Sequence, residues 1–219
     1  MLRIRASSLG LIMTAPKDKT QILSVGAKTY IKSLAKEFVY GFEENITSKY
    51  MDKGIQVEDQ SIALYNRVFG TSYTKNTERK TNAWLTGECD IDTGSKVIDV
   101  KSPWSLATFP CFKEDAHDKD YEWQLRAYMM LWDYQKAELA YCMVSTPDDL
   151  IRYEQIDLHY VDAIDESLRV TTIQYSRDLD MEELIKVKCN AAQLYFNELI
   201  EQIATEHNYK PKILGTLPL

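Results

Sequence analysis

The sequence predicts a fold of the α/β or α+β class, a central mixed sheet flanked by helices. Three observations carry this. Apolar stripes of helical period come first, alternating strand-like runs follow, and a helix, further strands and a long last helix close the order. Of 219 residues, 45% are hydrophobic and 27% charged, enough apolar material to cover both faces of a sheet. Only 8 glycines and 6 prolines occur, with no repeat, low-complexity tract or Pro/Gly-rich linker, so one domain over residues 1–219 is expected.

Each element has its own signal. Ser7 and Ser8 precede Leu9, Ile12 and Met13, which reads as a short serine-capped helix stopped before Pro16. Residues 24–40 form a second helix through Val25, Tyr30, Ile31, Leu34 and Phe38. Residues 55–69 form a third, with Gly70 as C-cap. Ala83–Asp92 alternates, Gly94 turns the chain, and Lys96–Lys101 returns as a second strand. Residues 121–135 are helical, Ala137–Val144 is a third strand, and Arg152–Asp157 is expected as a fourth. Asp180–Thr205 is a long amphipathic helix.

Composition excludes several classes. No run of about 18 apolar residues predicts a membrane span, and no signal peptide is visible behind Met1-Leu2-Arg3. Cys89, Cys111, Cys142 and Cys189 contain no Cys-x-x-Cys pair, so neither a zinc site nor an iron–sulfur cluster is expected. Free thiols in a reducing cytoplasm are the simplest reading. The net charge is −7, yet residues 1–36 hold seven basic residues against Asp18 alone, a net +6, and the remainder carries −13. This marks either a basic face beside an acidic cluster or a solvated lysine face. The acidic stretch 113–122 reads as a solvated loop, with His117 at the surface.

The hairpin carries the chemistry. By strand alternation Ile98 and Val100 point one way, Asp99 and Lys101 the other. On the partner strand Leu85, Cys89 and Ile91 oppose Glu88, Asp90 and Asp92. Several carboxylates and a lysine thus share one surface, which suits either solvent or a hard cation such as Mg²⁺. In the third helix Glu58 falls inside the stripe Ile55, Ile62, Tyr65 and Phe69, where a carboxylate needs a cation or donor. Val57, Leu64 and Val68 form a second stripe on the same helix, so its buried face is not unique. Gln124 and Tyr128 are an i, i+4 pair on an apolar helix face, where a glutamine requires partners.

Taken in order, Glu58, Gly87-Glu88-Cys89-Asp90, Asp99-Val100-Lys101 and Gln124-x-x-x-Tyr128 resemble the motifs of the PD-(D/E)XK nucleases. Within them the chain is similar to phage recombination exonucleases of the YqaJ and lambda exonuclease type, and to the RecB nuclease domain. Ala6-Ser7-Ser8-Leu9 resembles the family's opening Ala-Ser segment. The resemblance implies a restriction-endonuclease-like core with two Mg²⁺ ions about 3.5–4 Å apart, Mn²⁺ substituting. Asp90, Asp99, the Val100 carbonyl and Glu58 would ligate them. Asp90 fits the Gly-x-x-Asp spacing, while Asp92 remains an alternative on the same strand. Lys101 would orient or deprotonate the attacking water, the latter with a lowered pKa, and Gln124 would fix the lysine or a phosphate.

Arg3 or Arg5 would take the place of the family's arginine ahead of the Ala-Ser segment. Ser7 and Ser8 would either hold a phosphate at a helix N-terminus or simply cap it, and Tyr128 would either pack or touch DNA. The implied activity is processive 5′→3′ digestion of linear double-stranded DNA, leaving 3′ single-stranded tails for an annealing protein in recombination. A ring-shaped trimer is the implied assembly, and the cytoplasm of a bacterial host, phage- or prophage-encoded, the implied setting. A restriction-type or structure-selective endonuclease, and a non-catalytic DNA-binding or assembly protein, are the competing classes.

Overall fold

The computed structural model describes residues 1–44, 47–152 and 155–208. After β1 (Ile4–Arg5), a 3₁₀ turn at Ala6–Ser8 runs into α1 (Leu9–Met13). The expected serine cap is not made: Ser8 precedes α1 without a side-chain cap bond. What finishes α1 is instead a buried lysine. Lys188 Nζ donates to the carbonyls of Ile12, Met13 and Thr14 at 3.4, 3.2 and 2.6 Å, meeting acceptors that a helix end leaves free.

Helix α2 (Val25–Tyr40) starts where Ser24 Oγ accepts from Ala27 N. Helix α3 (Lys49–Phe69) starts two turns before its periodicity suggests, because Ser48 accepts from Met51 N. It ends at Gly70, whose φ of 64° is the left-handed conformation expected there. The buried face of α3 differs from the one containing Glu58. Ile55 is 72% and Phe69 46% exposed, whereas Lys53, Val57, Ser61, Ile62, Leu64 and Tyr65 turn inward. The face that meets the sheet joins Ile62 and Tyr65 of the first stripe to Val57 and Leu64 of the second, and leaves Ile55 and Phe69 outside.

The strands are β2 (Lys80–Thr81), β3 (Leu85–Gly87), β4 (Ile91–Asp92), β5 (Val97–Lys101), β6 (Lys136–Cys142) and β7 (Val170–Ser176). They form two hydrogen-bonded sheets, ordered β1-β3-β2 and β4-β5-β6-β7. The larger is mixed, antiparallel at β4–β5 and β6–β7 and parallel at β5–β6. The expected strand 83–92 is therefore two strands in different sheets, broken at residues 88–90. The fourth strand of the larger sheet is β7, not 152–157. Of that expected strand, 153 and 154 lie outside the described residues, and Ile156 opens a 3₁₀ turn.

Helix α4 (Lys119–Trp132) is capped by Asp118, and α5 (Leu179–Glu206) by Asp178, each accepting two backbone N–H bonds. Val57, Ile62, Leu64 and Tyr65 of α3 cover one face of the larger sheet through Ile91, Ile98, Val100 and Ala140. Leu125 and Met129 of α4, with Ile185 and Phe196 of α5, share the other cluster with Val97 and Leu139. Burying both faces is what makes the short strands stable.

Candidate active site

The motif residues meet at a cleft of about 930 Å³ between the N-terminal end of α3, the irregular segment 88–90 and the end of β5. Gly87 lets that wall close. A Cβ there would stand 2.9 Å from both Ala6 Cβ and Tyr128 Cε1, so a side chain would push α4 and the N-terminal turn off β3. The Gly-x-x-Asp spacing thus reflects close packing followed by a break in the strand.

Past that break Asp90 swings towards β5. Its Oδ2 accepts from Val100 N at 2.6 Å. Asp92, which alternation places on the same face, lies elsewhere: it accepts from Trp132 Nε1, Tyr134 OH and Gly94 N at 2.9, 2.9 and 2.8 Å, and lines no part of the cleft. The irregular backbone between β3 and β4 separates the two. Asp99 is 1% exposed. Its Oδ1 accepts from Gln124 Nε2 at 3.0 Å, and its Oδ2 stands 2.7 Å from Lys101 Nζ as an ion pair, outside good hydrogen-bond geometry.

Lys101 also donates to Gln124 Oε1 at 3.3 Å and lies 4.6 Å from the centre of the Tyr121 ring. Gln124 Nε2 further donates to Tyr128 OH at 2.9 Å, which passes the chain on to Glu88 O at 2.9 Å. Gln124 therefore has the partners its apolar helix face demands. Tyr128, expected also as a DNA contact, is 3% exposed and serves as a strut beneath the cleft.

Electrostatics single out Asp90. Burial first, then the charge of Asp99, push its carboxyl up from 3.8 to about 7. Lys101 departs from expectation. Burial pulls its pKa down, but Asp99 and Asp90 outweigh that, and the net shift is upward. Facing two carboxylates, the lysine holds its proton. The donors nevertheless fit a hard divalent cation: two neighbouring carboxylates, Asp90 made costly to charge by burial and by Asp99, and Asp99 carrying a buried oxygen that meets only the Lys101 ammonium.

Glu58 lines the same cleft but is not buried among apolar groups. Its Oε2 lies 2.5 Å from Lys75 Nζ. Among the described residues no three His, Cys, Asp or Glu already converge on one point. Arg5 and Ser7 line the rim, Arg5 ion-paired to Glu43, while Ser8 is turned to Tyr30. The cysteines are unpaired; Cys89, Cys142 and Cys189 are buried and Cys111 is exposed.

Two residues that hold the site's lining from outside it carry no motif. Lys53 is fully buried, and its Nζ donates to Pro103 O, Trp104 O and Val144 O at 2.6, 3.1 and 3.0 Å. It ties α3 to the segment after Lys101; burial pulls its pKa down to about 8. Ser61 and Ser102 hydroxyls, 2.8 Å apart, add a second tie. The other is Lys75. Neither leaves a periodic signal, because each depends on contacts between distant segments.

No protein-family model matches the chain, and no curated protein does. Solved structures do. One is a phage-related exonuclease from Haemophilus somnus 129PT, 33% identical, covering 92% of this chain and 96% of that one with a TM-score of 0.87. The fold is also that of an alkaline exonuclease, LHK-Exo, from Laribacter hongkongensis: 16% identity, 94% of this chain, 93% of that one, TM-score 0.69. The same enzyme in complex with dAMP gives 17% identity, the same coverages and a TM-score of 0.70.

Fold and site together define a PD-(D/E)XK nuclease, a phosphodiester hydrolase. Within that class the chain belongs to the phage-related exonucleases, of the YqaJ and lambda exonuclease type. Among the described residues no helix is long and apolar enough to cross a membrane.

Proposed function

We propose that this exonuclease is Mg²⁺-dependent and degrades linear double-stranded DNA processively, 5′→3′, leaving 3′ single-stranded tails for recombination. The observation that carries the reading is the half-buried Asp90 and the buried Asp99, within electrostatic reach of each other beside Lys101 on an open cleft wall. Asp90, Asp99, the Val100 carbonyl and Glu58 supply only oxygen donors, which suits Mg²⁺, with Mn²⁺ substituting and room for two ions. A bound ion supplies charge neutralisation at the phosphate and an acidified water. Lys101, held protonated by the carboxylates and angled by Gln124, orients the attacking water and counters charge that develops on the phosphate. Tyr128 holds Gln124 from below.

Capture of the 5′ end falls to Arg5 and Ser7, both on the cleft rim in the basic N-terminal segment. Ser8 is engaged elsewhere and α1 has only five residues, so a helix-terminus anchor is not part of the reading. A 5′ phosphate carries more charge than an internal phosphodiester and is held preferentially there. A ring-shaped homotrimer with its basic surface inward, and an annealing protein that receives the tail, complete the proposal. The charge distribution supports it, since phosphate contacts supply most non-specific affinity.

The test is a digestion time course on end-labelled linear duplex with 5′-phosphate or 5′-hydroxyl ends, and on closed circular duplex, each with Mg²⁺ or with chelator. Loss of the phosphorylated linear substrate from its 5′ end, only with Mg²⁺, is expected. Cleavage of the circle would make the enzyme an endonuclease, and equal rates on both ends would remove the Arg5–Ser7 anchor.

A further inference from the structure

The stretch after α3 doubles back along the cleft wall and is fastened on both sides. Asn66 of α3 clips Tyr73, its Nδ2 donating to Tyr73 O at 2.8 Å and its Oδ1 accepting from Tyr73 N at 3.0 Å. Asn76 N donates to Asp90 O at 2.7 Å, and Asn76 Nδ2 to Cys89 O at 3.0 Å. Lys75 stands between these clips. Its backbone is thereby tied to the helix that bears Glu58 and to the segment that bears Asp90. Its Nζ reaches Glu58 Oε2 at 2.5 Å, and the carboxylate side chain is only 23% exposed. Asp59 and Asp90 are the other carboxylates within its electrostatic reach. An untethered surface lysine loses side-chain entropy on pairing and gains little. Here the backbone clips have already placed the ammonium.

We propose that Lys75 is a tethered cation that competes with the metal ion for Glu58. The inference rests on the reading of Glu58 as a metal ligand. The ammonium 2.5 Å from Glu58 Oε2 occupies that oxygen and repels an approaching cation, so the apparent metal affinity through it is the intrinsic one multiplied by the fraction of Glu58 that is unpaired. The arrangement holds Glu58 against Lys75 beside Asp90 and Asp99, and its paired oxygen joins a metal only as the ammonium moves off. Removing this positive residue from beside a DNA enzyme's cleft should therefore tighten metal binding.

The experiment is calorimetric titration of the DNA-free protein with Mn²⁺, for wild type, Lys75→Met, Lys75→Arg, Glu58→Gln and Lys75→Met/Glu58→Gln. Arg79→Met controls for bulk charge, since Arg79 pairs with Glu88 on the same cleft. Lys75→Met is expected to bind Mn²⁺ roughly two- to fivefold more tightly, the range of a partly exposed ion pair. Lys75→Arg should behave as wild type, and the gain should vanish in the Glu58→Gln background. Unchanged or weaker binding by Lys75→Met, with Glu58→Gln weakened, overturns the competition and leaves Glu58 a ligand. Glu58→Gln binding as well as wild type overturns both readings. An equal gain in Arg79→Met, or one that survives in the double variant, assigns the effect to net charge and overturns the proposal.

Discussion

Asp99 and Glu138 are buried carboxylates on neighbouring parallel strands, one register step apart, since Ile98 pairs with Glu138 and Asp99 with Leu139. Their surroundings differ sharply. Glu138, on the α3 side of the sheet, accepts from Tyr65 OH at 2.7 Å, Lys96 Nζ at 2.6 Å and Gln174 Nε2 at 3.0 Å. Asp99, on the α4 side, has one amide donor, a second oxygen met only by the Lys101 ammonium at 2.7 Å, and the charge of Asp90 nearby. A buried carboxylate saturated by donors locks elements together. One left short of donors and crowded by a like charge keeps its attraction for an outside cation. Both lie in one sheet, and only the second opens on the cleft.

The largest expected contrast is in turnover. Lys101→Ala should lose about 10²–10⁴-fold in kcat while duplex binding is largely kept, whereas Lys96→Ala should keep near-normal kcat. Single-turnover digestion with a parallel binding titration checks this; equal losses in the two variants would erase the distinction. Next comes stability. Glu138→Leu strands the Tyr65 hydroxyl and the Gln174 amide, and should cost about 2–3 kcal/mol. Urea unfolding at constant slope measures it.

The smallest effect has the opposite sign. Asp90→Asn keeps an acceptor for Val100 N but removes the like charge, and should stabilise the chelator-treated protein by about 1 kcal/mol at mildly alkaline pH. The pH dependence follows from the raised pKa. The native carboxyl holds a proton that the unfolded chain releases near 3.8, so its contribution is present at low pH and is lost as pH rises through about 7. The gap between variant and wild type should therefore widen across that window and close towards pH 4. A flat difference across unfolding curves would show that Asp90 is as well compensated as Glu138.

Much of the site was legible because it follows local rules. Asp99 and Lys101 on one strand face, Ile98 and Val100 on the other, follow from alternation within an unbroken strand. Gln124 and Tyr128 meet because they are one helical turn apart. Alternation fails at Glu88-Cys89-Asp90, where the chain leaves one sheet and enters another, and there Asp90 parts from Asp92. Glu138 had a visible hint, an acid between alanine and leucine in a strand, but its donors arrive from α3, β7 and the turn before β5.

By itself the sequence determined the helices, their Ser24 and Gly70 boundaries, the β5 hairpin strand and the family of the motifs, all set by residues within a few positions of one another. Only the tertiary structure decided how the two stripes of α3 share its buried face, and that Glu58 sits on the cleft against Lys75 rather than in the core. It alone placed Lys53 under the Pro103–Trp104 carbonyls and set Asp99 between Gln124 and Lys101. The physical reason is the same in each case. Burial and hydrogen-bond satisfaction depend on which distant segments arrive, and periodicity records only the spacing within one segment.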